Sequence, residues 1–119
     1  MATILIVDDE FALAELLAEL LGLRGHTVML AINGISGLAA LNSNDVDLVI
    51  SDVMMPVMTG PQMIAAMRET PRLARIPVVL ISAEPRLLAD APFAQATLTK
   101  PFGPAALYAQ VDRLLEDVS

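Results

Sequence analysis

Cysteine is absent from the chain, and only four of its 119 residues are aromatic, three Phe and one Tyr. Without cysteine there is neither a disulfide framework nor a thiolate metal site. With so few rings, the core has to be built from Ala, Leu, Ile, Val and Met. Positive charge is scarce too: 7 Lys and Arg stand against 14 Asp and Glu, a net charge of −7. No basic face is available for phosphates, so direct nucleic-acid binding is disfavoured. Long hydrophobic runs are also missing. The first apolar run, Ile4 to Val7, ends at once in Asp8-Asp9-Glu10. It is too short for a signal peptide or a membrane span, and its flanking charge has the wrong sign for a leader. A soluble cytoplasmic protein is the expectation.

What is present is a globular composition, with 55% hydrophobic and 18% charged residues. That argues against disorder and for one domain over residues 1–119. Short apolar runs recur at Ile4–Val7, Val28–Ala31, Val46–Ile50, Pro77–Ile81 and, more weakly, Ala96–Thr99. They do not alternate polar with apolar, so they read as strands buried on both faces, as in a parallel sheet. Helical patterns lie between them. Leu13, Leu16, Leu17, Leu20 and Leu21 form one apolar stripe, closed by Gly22 and Gly25. Asn33 is placed to cap a second helix carrying Ile35, Leu38 and Leu41. Gly60-Pro61 opens a third with Met63, Ile64 and Met67 inward, and Gly103-Pro104 opens the last, with Leu107, Val111, Leu114, Leu115 and Val118. The stretch AEPRLLADAPFAQA should hold a fourth helix, yet Pro85 and Pro92 leave it short or distorted. Alternating strands and helices predict a doubly wound α/β fold on a five-stranded parallel sheet.

In such a sheet ligands bind at the carboxyl ends of the strands. The first strand delivers Asp8, Asp9 and Glu10 there, the third Asp52, the fourth Ser82 and Glu84, and the fifth Lys100. Clustered carboxylates repel, and desolvation raises their pKa values, so the arrangement calls for a cation. Hard oxygen ligands suit Mg²⁺, bound commonly through carboxylates, waters and a phosphate. Lys100 supplies a point charge for a phosphate oxygen, and Ser82 a hydroxyl. One aspartate can then be the nucleophile that accepts a phosphoryl group. Asp52 is the best candidate, standing alone after an apolar strand in VISDVMMPVMTG.

Four motifs, ILIVDDE, LVISDVMMPVMTG, VVLISA and TKPF, follow one another in the order and spacing of the receiver domains of two-component response regulators. The chain resembles that family over essentially its whole length. The resemblance implies a flavodoxin-like sheet of order 2-1-3-4-5 and no flavin. It makes Asp52 the phosphoacceptor, fed by a sensor histidine kinase or a histidine phosphotransfer protein. It makes Asp9 a direct Mg²⁺ ligand, Asp8 an acidic neighbour acting through water, and the Met54 backbone carbonyl a third protein ligand. Ser82 matches the switch hydroxyl and Lys100 the motif lysine, with a cis Lys100–Pro101 bond expected. Met54 and Glu84 occupy positions that tune phosphate lifetime in the family. Output is then a change of protein–protein contacts with a downstream target.

Two features depart from the family pattern. Thr97 stands where a switch aromatic is usual, and the Ser82–Lys100 segment is short. Both fall on the usual output face, so a rearrangement of the 83–95 segment is expected in place of a ring flip. They also keep alive the alternative of a pseudo-receiver acting as a phosphorylation-independent interaction module. An enzyme is not expected. An aspartyl-phosphate phosphatase of the haloacid-dehalogenase type needs a second aspartate two residues after the first, where Met54 stands, and no P-loop run is present. Plainer roles are expected elsewhere: Met54 and Met55 for packing, His26 exposed and inert, Arg72 and Arg75 as solvated charges.

Overall fold

The apolar runs at the centre of the sheet become strands because their side chains find cover on both faces, whereas the edge runs Val28–Ala31 and Ala96–Thr99 stay partly exposed, against the expectation that they too are buried on both faces. The structure, a computed structural model, describes residues 1–89 and 94–117. The strands are β1 (Thr3–Val7), β2 (Thr27–Ala31), β3 (Leu48–Asp52), β4 (Val78–Ser82) and β5 (Ala96–Thr99). All neighbouring pairs are parallel, in the order β2-β1-β3-β4-β5. This is the flavodoxin-like order, with helices on both faces. The third and fourth strands run later than the apolar runs suggest, so Asp52 and Ser82 are the last residues of their strands.

The helices are α1 (Phe11–Leu23), α2 (Gly34–Ser43), α3 (Gly60–Arg68), α4 (Pro71–Ala74), α5 (Pro85–Ala89) and α6 (Pro104–Asp117). Successive strand residues point to opposite faces, and that splits the core in two. Ile4, Ile6, Ile50 and Ile81 pack with Leu17, Leu21, Leu107 and Val111 of α1 and α6. Leu5, Val7, Val49 and Leu80 pack with Leu41, Met63, Met67 and Leu88 of α2, α3 and α5. Ile4, Leu5, Ile6 and Leu80 are fully buried, and each such side chain contributes about 1.5–3 kcal/mol by leaving water.

Local chemistry sets the helix starts. Asn33 caps α2 through the Ser36 N–H at 2.9 Å, and Ser36 Oγ accepts the Asn33 N–H in return. Thr59 and Gln62 form the same reciprocal box at α3, a T-x-x-Q signature that the Gly-Pro reading overlooked. Between β4 and β5 the described part of the helix runs from Pro85 to Ala89; Pro92 and the rest of the expected rearranging segment over 90–93 lie outside the described residues, as does Val118.

Three expectations need correction. Arg72 is not merely solvated: its Nη2 donates to the Leu41 and Asn42 carbonyls at 3.1 and 3.4 Å, satisfying free acceptors at the end of α2. His26 is half-buried, and its Nδ1 accepts the Ala2 N–H at 3.2 Å. Leu16 belongs to the α1 stripe by spacing but is 50% exposed, because the stripe is wider than the sheet it covers. Among the described residues, no helix is long and apolar enough to cross a membrane.

Candidate functional site

The carboxyl ends of β1, β3, β4 and β5 meet at one edge of the sheet. At the end of β1 the Asp8 N–H donates to the Ala31 carbonyl at 3.0 Å, which holds the residue in line with the sheet. Its Oδ1 accepts the Glu10 N–H at 2.8 Å, a local turn that steers the chain into α1. Its Oδ2 is buried and has no hydrogen-bond partner; the nearest cation, Lys100 Nζ, is 3.9 Å away. That distance suits an ion pair but is too long for a hydrogen bond.

Asp52 ends β3 and is 7% exposed. Its backbone is tied down by the Ser51 hydroxyl, which donates to the Asp52 carbonyl at 2.9 Å. The Val53 N–H bonds the Ile81 carbonyl at 3.0 Å, and the Gly60 N–H bonds the Val53 carbonyl at 2.8 Å. Ser51 and Gly60 therefore support the site; their types alone could not have identified them. Val57 sits beyond Asp52 at φ 71°, a left-handed conformation that a β-branched residue adopts only under strain of about 1–3 kcal/mol.

Lys100 is the only lysine in the chain. Its N–H donates to the Ser82 carbonyl at 2.8 Å, and the Lys100–Pro101 bond is cis, as the family pattern implied. Its ammonium reaches across the sheet edge to Asp52 Oδ2 at 3.2 Å and Glu10 Oε1 at 3.1 Å. Ser82 is buried, and its Oγ accepts the Glu84 N–H at 3.0 Å.

The site thus gathers Asp8, Asp52, Ser82 and Lys100 as read from the sequence, and Asp9, next to Asp8 in the chain, is exposed. The three carboxylates whose oxygens lie within 4.8 Å of one another are Asp8, Glu10 and Asp52. Glu10 reaches in because the turn held by Asp8 Oδ1 places it over the strand ends. Met54 also departs from expectation: its side chain is 60% exposed, whereas Met55 packs in the core.

Electrostatics follow from that crowding. Burial pushes the Asp8 carboxyl above its ordinary value. The Glu10 N–H and the Lys100 charge pull it down, and the Asp52 and Glu10 charges raise it further. For Lys100, burial works against the charged form. The hydrogen bond to Glu10 and the charges of Asp52 and Asp8 outweigh it, and the ammonium is held above its usual range. An unpartnered, buried carboxylate oxygen facing two other carboxylates fits a hard divalent cation.

Residues 4–112 match the response regulator receiver domain. The chain belongs to that family. Among solved structures, this receiver is similar to the signal receiver domain of a signal transduction histidine kinase from Syntrophus aciditrophicus. The TM-score is 0.92 at 33% identity, covering 100% of this chain and 93% of that one. It is similar also to the response regulator TrrA from Thermotoga maritima, solved in complex with Mg²⁺–BeF, with a TM-score of 0.89 at 31% identity over 96% and 99% of the two chains. In sequence it is 36% identical over 119 residues to the CpxR homolog of Haemophilus influenzae, a transcriptional regulatory protein; the match covers 97% of this receiver and 51% of that protein. The chain spans about half the length of the curated relatives it first matches.

Proposed function

We propose that the chain is a Mg²⁺-dependent phosphoacceptor of two-component signalling, acting in the cytoplasm, with Asp52 as the acceptor. The observation that carries this reading is the convergence of Asp52, Lys100 and the unpartnered Asp8 Oδ2 within one ion-pair network. An Asp52 oxygen attacks phosphorus, the P–N bond of a partner's phosphohistidine breaks, and its electron pair leaves on the imidazole. An acyl phosphate forms on Asp52. Lys100 already lies beside the attacking carboxylate and can pair with an oxygen of the arriving group. The Ser82 hydroxyl, at the end of the adjacent strand, can turn to another. Asp8, Glu10 and Asp52 would hold the metal, with Asp9 and the Met54 carbonyl as the further ligands that the family pattern implies; bound there, Mg²⁺ neutralises charge on the transferring group. The chain stores the phosphoryl group without turning over a substrate, so it is a switch and not a conventional enzyme.

The phosphodonor, a sensor histidine kinase or a histidine phosphotransfer protein, has a surface to use. An apolar groove of about 390 Å³ adjoins Lys100, lined by Leu13, Leu16, Leu20, Phe102 and Pro104. The downstream target is a protein, which the net charge of −7 favours over nucleic acid. Incubation with acetyl phosphate and Mg²⁺, followed by intact mass and peptide mapping, tests the proposal. A single labile phosphoryl adduct at Asp52 is expected, dependent on the metal. No adduct would favour a phosphorylation-independent interaction module.

Asp8 supplies a second, independent check. A carboxyl with a raised folded-state pKa is less favourable charged in the fold than in the unfolded chain. It therefore weakens the metal-free protein at neutral pH, and that penalty is relieved as pH falls through the raised value. Asp8→Asn should raise the metal-free melting temperature at pH 7 by a few degrees. It should also remove the stabilisation that Mg²⁺ gives the wild type, which is about 2.7 kcal/mol at a hundredfold excess over Kd. Thermal melts with and without Mg²⁺ read both; a variant that melts lower and still responds to Mg²⁺ would count against the assigned role of Asp8.

A further inference from the structure

Glu10 stands at the N-cap of α1, yet its side chain makes no cap bond. Asn33 and Thr59 cap α2 and α3 through their side chains, and Ser, Thr, Asp or Asn is the usual choice at that position. The Glu10 carboxylate turns elsewhere: its Oε1 accepts from the Lys100 ammonium at 3.1 Å. Lys100 Nζ also lies 3.2 Å from Asp52 and 3.9 Å from Asp8. The lysine is therefore within ion-pair distance of each of the three carboxylates that crowd together as a cation site. It is their counter-ion, and a divalent cation bound among them draws on the same oxygens.

The partners of the Glu10–Lys100 pair differ in their freedom to move. Lys100 is anchored by its N–H on the Ser82 carbonyl at 2.8 Å, and its side chain is only 16% exposed. The Glu10 main chain is pinned as well: its N–H donates to Asp8 Oδ1 at 2.8 Å, and its carbonyl accepts the Ala14 N–H at 3.0 Å. Its side chain, in contrast, is 64% exposed, so the carboxylate can swing about a fixed backbone. We propose that Glu10 is a positioning residue for Lys100. Its carboxylate holds the ammonium beside Asp52 in the metal-free protein and leaves it for the metal, which frees Lys100 for the incoming phosphoryl oxygen. The inference rests on the metal site proposed above and adds a coupling between metal occupancy and the lysine. Charge sets the direction of the exchange. A divalent ion attracts a carboxylate about twice as strongly as an ammonium does at equal distance, and it approaches more closely, to about 2.0–2.1 Å for Mg²⁺. Two cations on one carboxylate also repel each other, so the exposed, swinging side chain serves one at a time.

A double-mutant cycle on Mg²⁺ affinity, read by titration calorimetry on the unphosphorylated chain, tests the coupling. Lys100→Met removes the competing ammonium, and Glu10→Gln removes the charge that both cations use. Were the side chains fixed in place, the two changes would combine as independent factors. With Glu10 changing partner, Lys100→Met should tighten Mg²⁺ binding about fivefold more in the wild type than in the Glu10→Gln background. A second measurement uses the single lysine of the chain: lysine labelled at Nζ gives one ammonium signal in nitrogen NMR. Mg²⁺ should move that signal further in the wild type than in Glu10→Gln. This measurement alters nothing at Lys100 and stands even if the Lys100 variant proves unstable. Equal gains in both backgrounds, or equal movements of the signal, overturn the role given to Glu10 and leave the metal site standing. Failure of the wild type to bind Mg²⁺ at all overturns the metal site and this inference with it.

Discussion

Asp52→Asn should lower phosphoryl acceptance from acetyl phosphate by about 10³-fold or more, because the substitution removes the nucleophile and keeps the shape. An amide oxygen carries no negative charge and forms no stable acyl phosphate. The surroundings should barely move. The oxygen of the introduced side-chain amide can still accept from Lys100, and Lys100 keeps its second anchor on Glu10 at 3.1 Å. The Ser51 hydroxyl and the Val53 N–H hold the main chain through groups that the substitution does not touch. A melting temperature close to wild type with the adduct lost therefore isolates chemistry from folding. Undiminished labelling of the variant would place the acceptor elsewhere, with the other carboxylates of the cluster the first to map.

The sheet was legible because a parallel strand buried on both faces leaves an apolar run whose register hardly matters to recognition. Ile4–Val7 and Val78–Ile81 are uniformly buried, and the sequence shows them as unbroken aliphatic stretches. Strand ends were less legible: β3 and β4 extend one or two residues beyond the apolar run because Asp52 and Ser82 still pair in the ladder. The site was legible as a set of strand-end residues and less so as a geometry. Asp8 and Asp9 are adjacent in sequence, yet Asp8 is buried and Asp9 exposed. The turn closed by Asp8 Oδ1 and the Glu10 N–H also brings the Glu10 carboxylate close to those of Asp8 and Asp52. No spacing rule carries that information. Arg72 was misread for a related reason: its partners, the Leu41 and Asn42 carbonyls, are some thirty residues away, and a long-range cap leaves no local pattern.

The position where the family pattern has a switch aromatic is occupied by Thr97. Thr97 lies on β5 opposite Leu80 in register and is exposed, so no ring at that position can couple Ser82 to the surface. Ser82 is instead linked forward, through its Oγ and the Glu84 N–H, to the start of α5. A hydroxyl that turns toward Asp52 must release that bond, and α5 is the first element to feel it.

Gly60→Ala should be the most damaging single methyl in the molecule, lowering stability by about 3 kcal/mol and the melting temperature by about 10 °C. A Cβ at Gly60 would sit 2.5 Å from the Asp52 carbonyl oxygen, 2.9 Å from Leu80 Cδ2 and 3.3 Å from Ser51 Oγ. The first of these is main chain, fixed at the end of a central strand, and Leu80 is fully buried. Relief requires α3 to lift away, breaking the 2.8 Å bond from the Gly60 N–H to Val53, or the Asp52 backbone to shift. Either movement disturbs the acceptor, so the labelling rate should fall along with stability. Gly22→Ala is the matching control. It lies inside α1 with nothing within 4 Å of the added carbon, and a helical Gly→Ala change should stabilise by about 0.5–1 kcal/mol. Denaturant unfolding of the two variants separates backbone contact from propensity, because both add the same methyl group to a helical glycine. If the position 60 variant is as stable as the position 22 variant, α3 does not rest on the backbone of Asp52, and the rigid support attributed to Gly60 is absent.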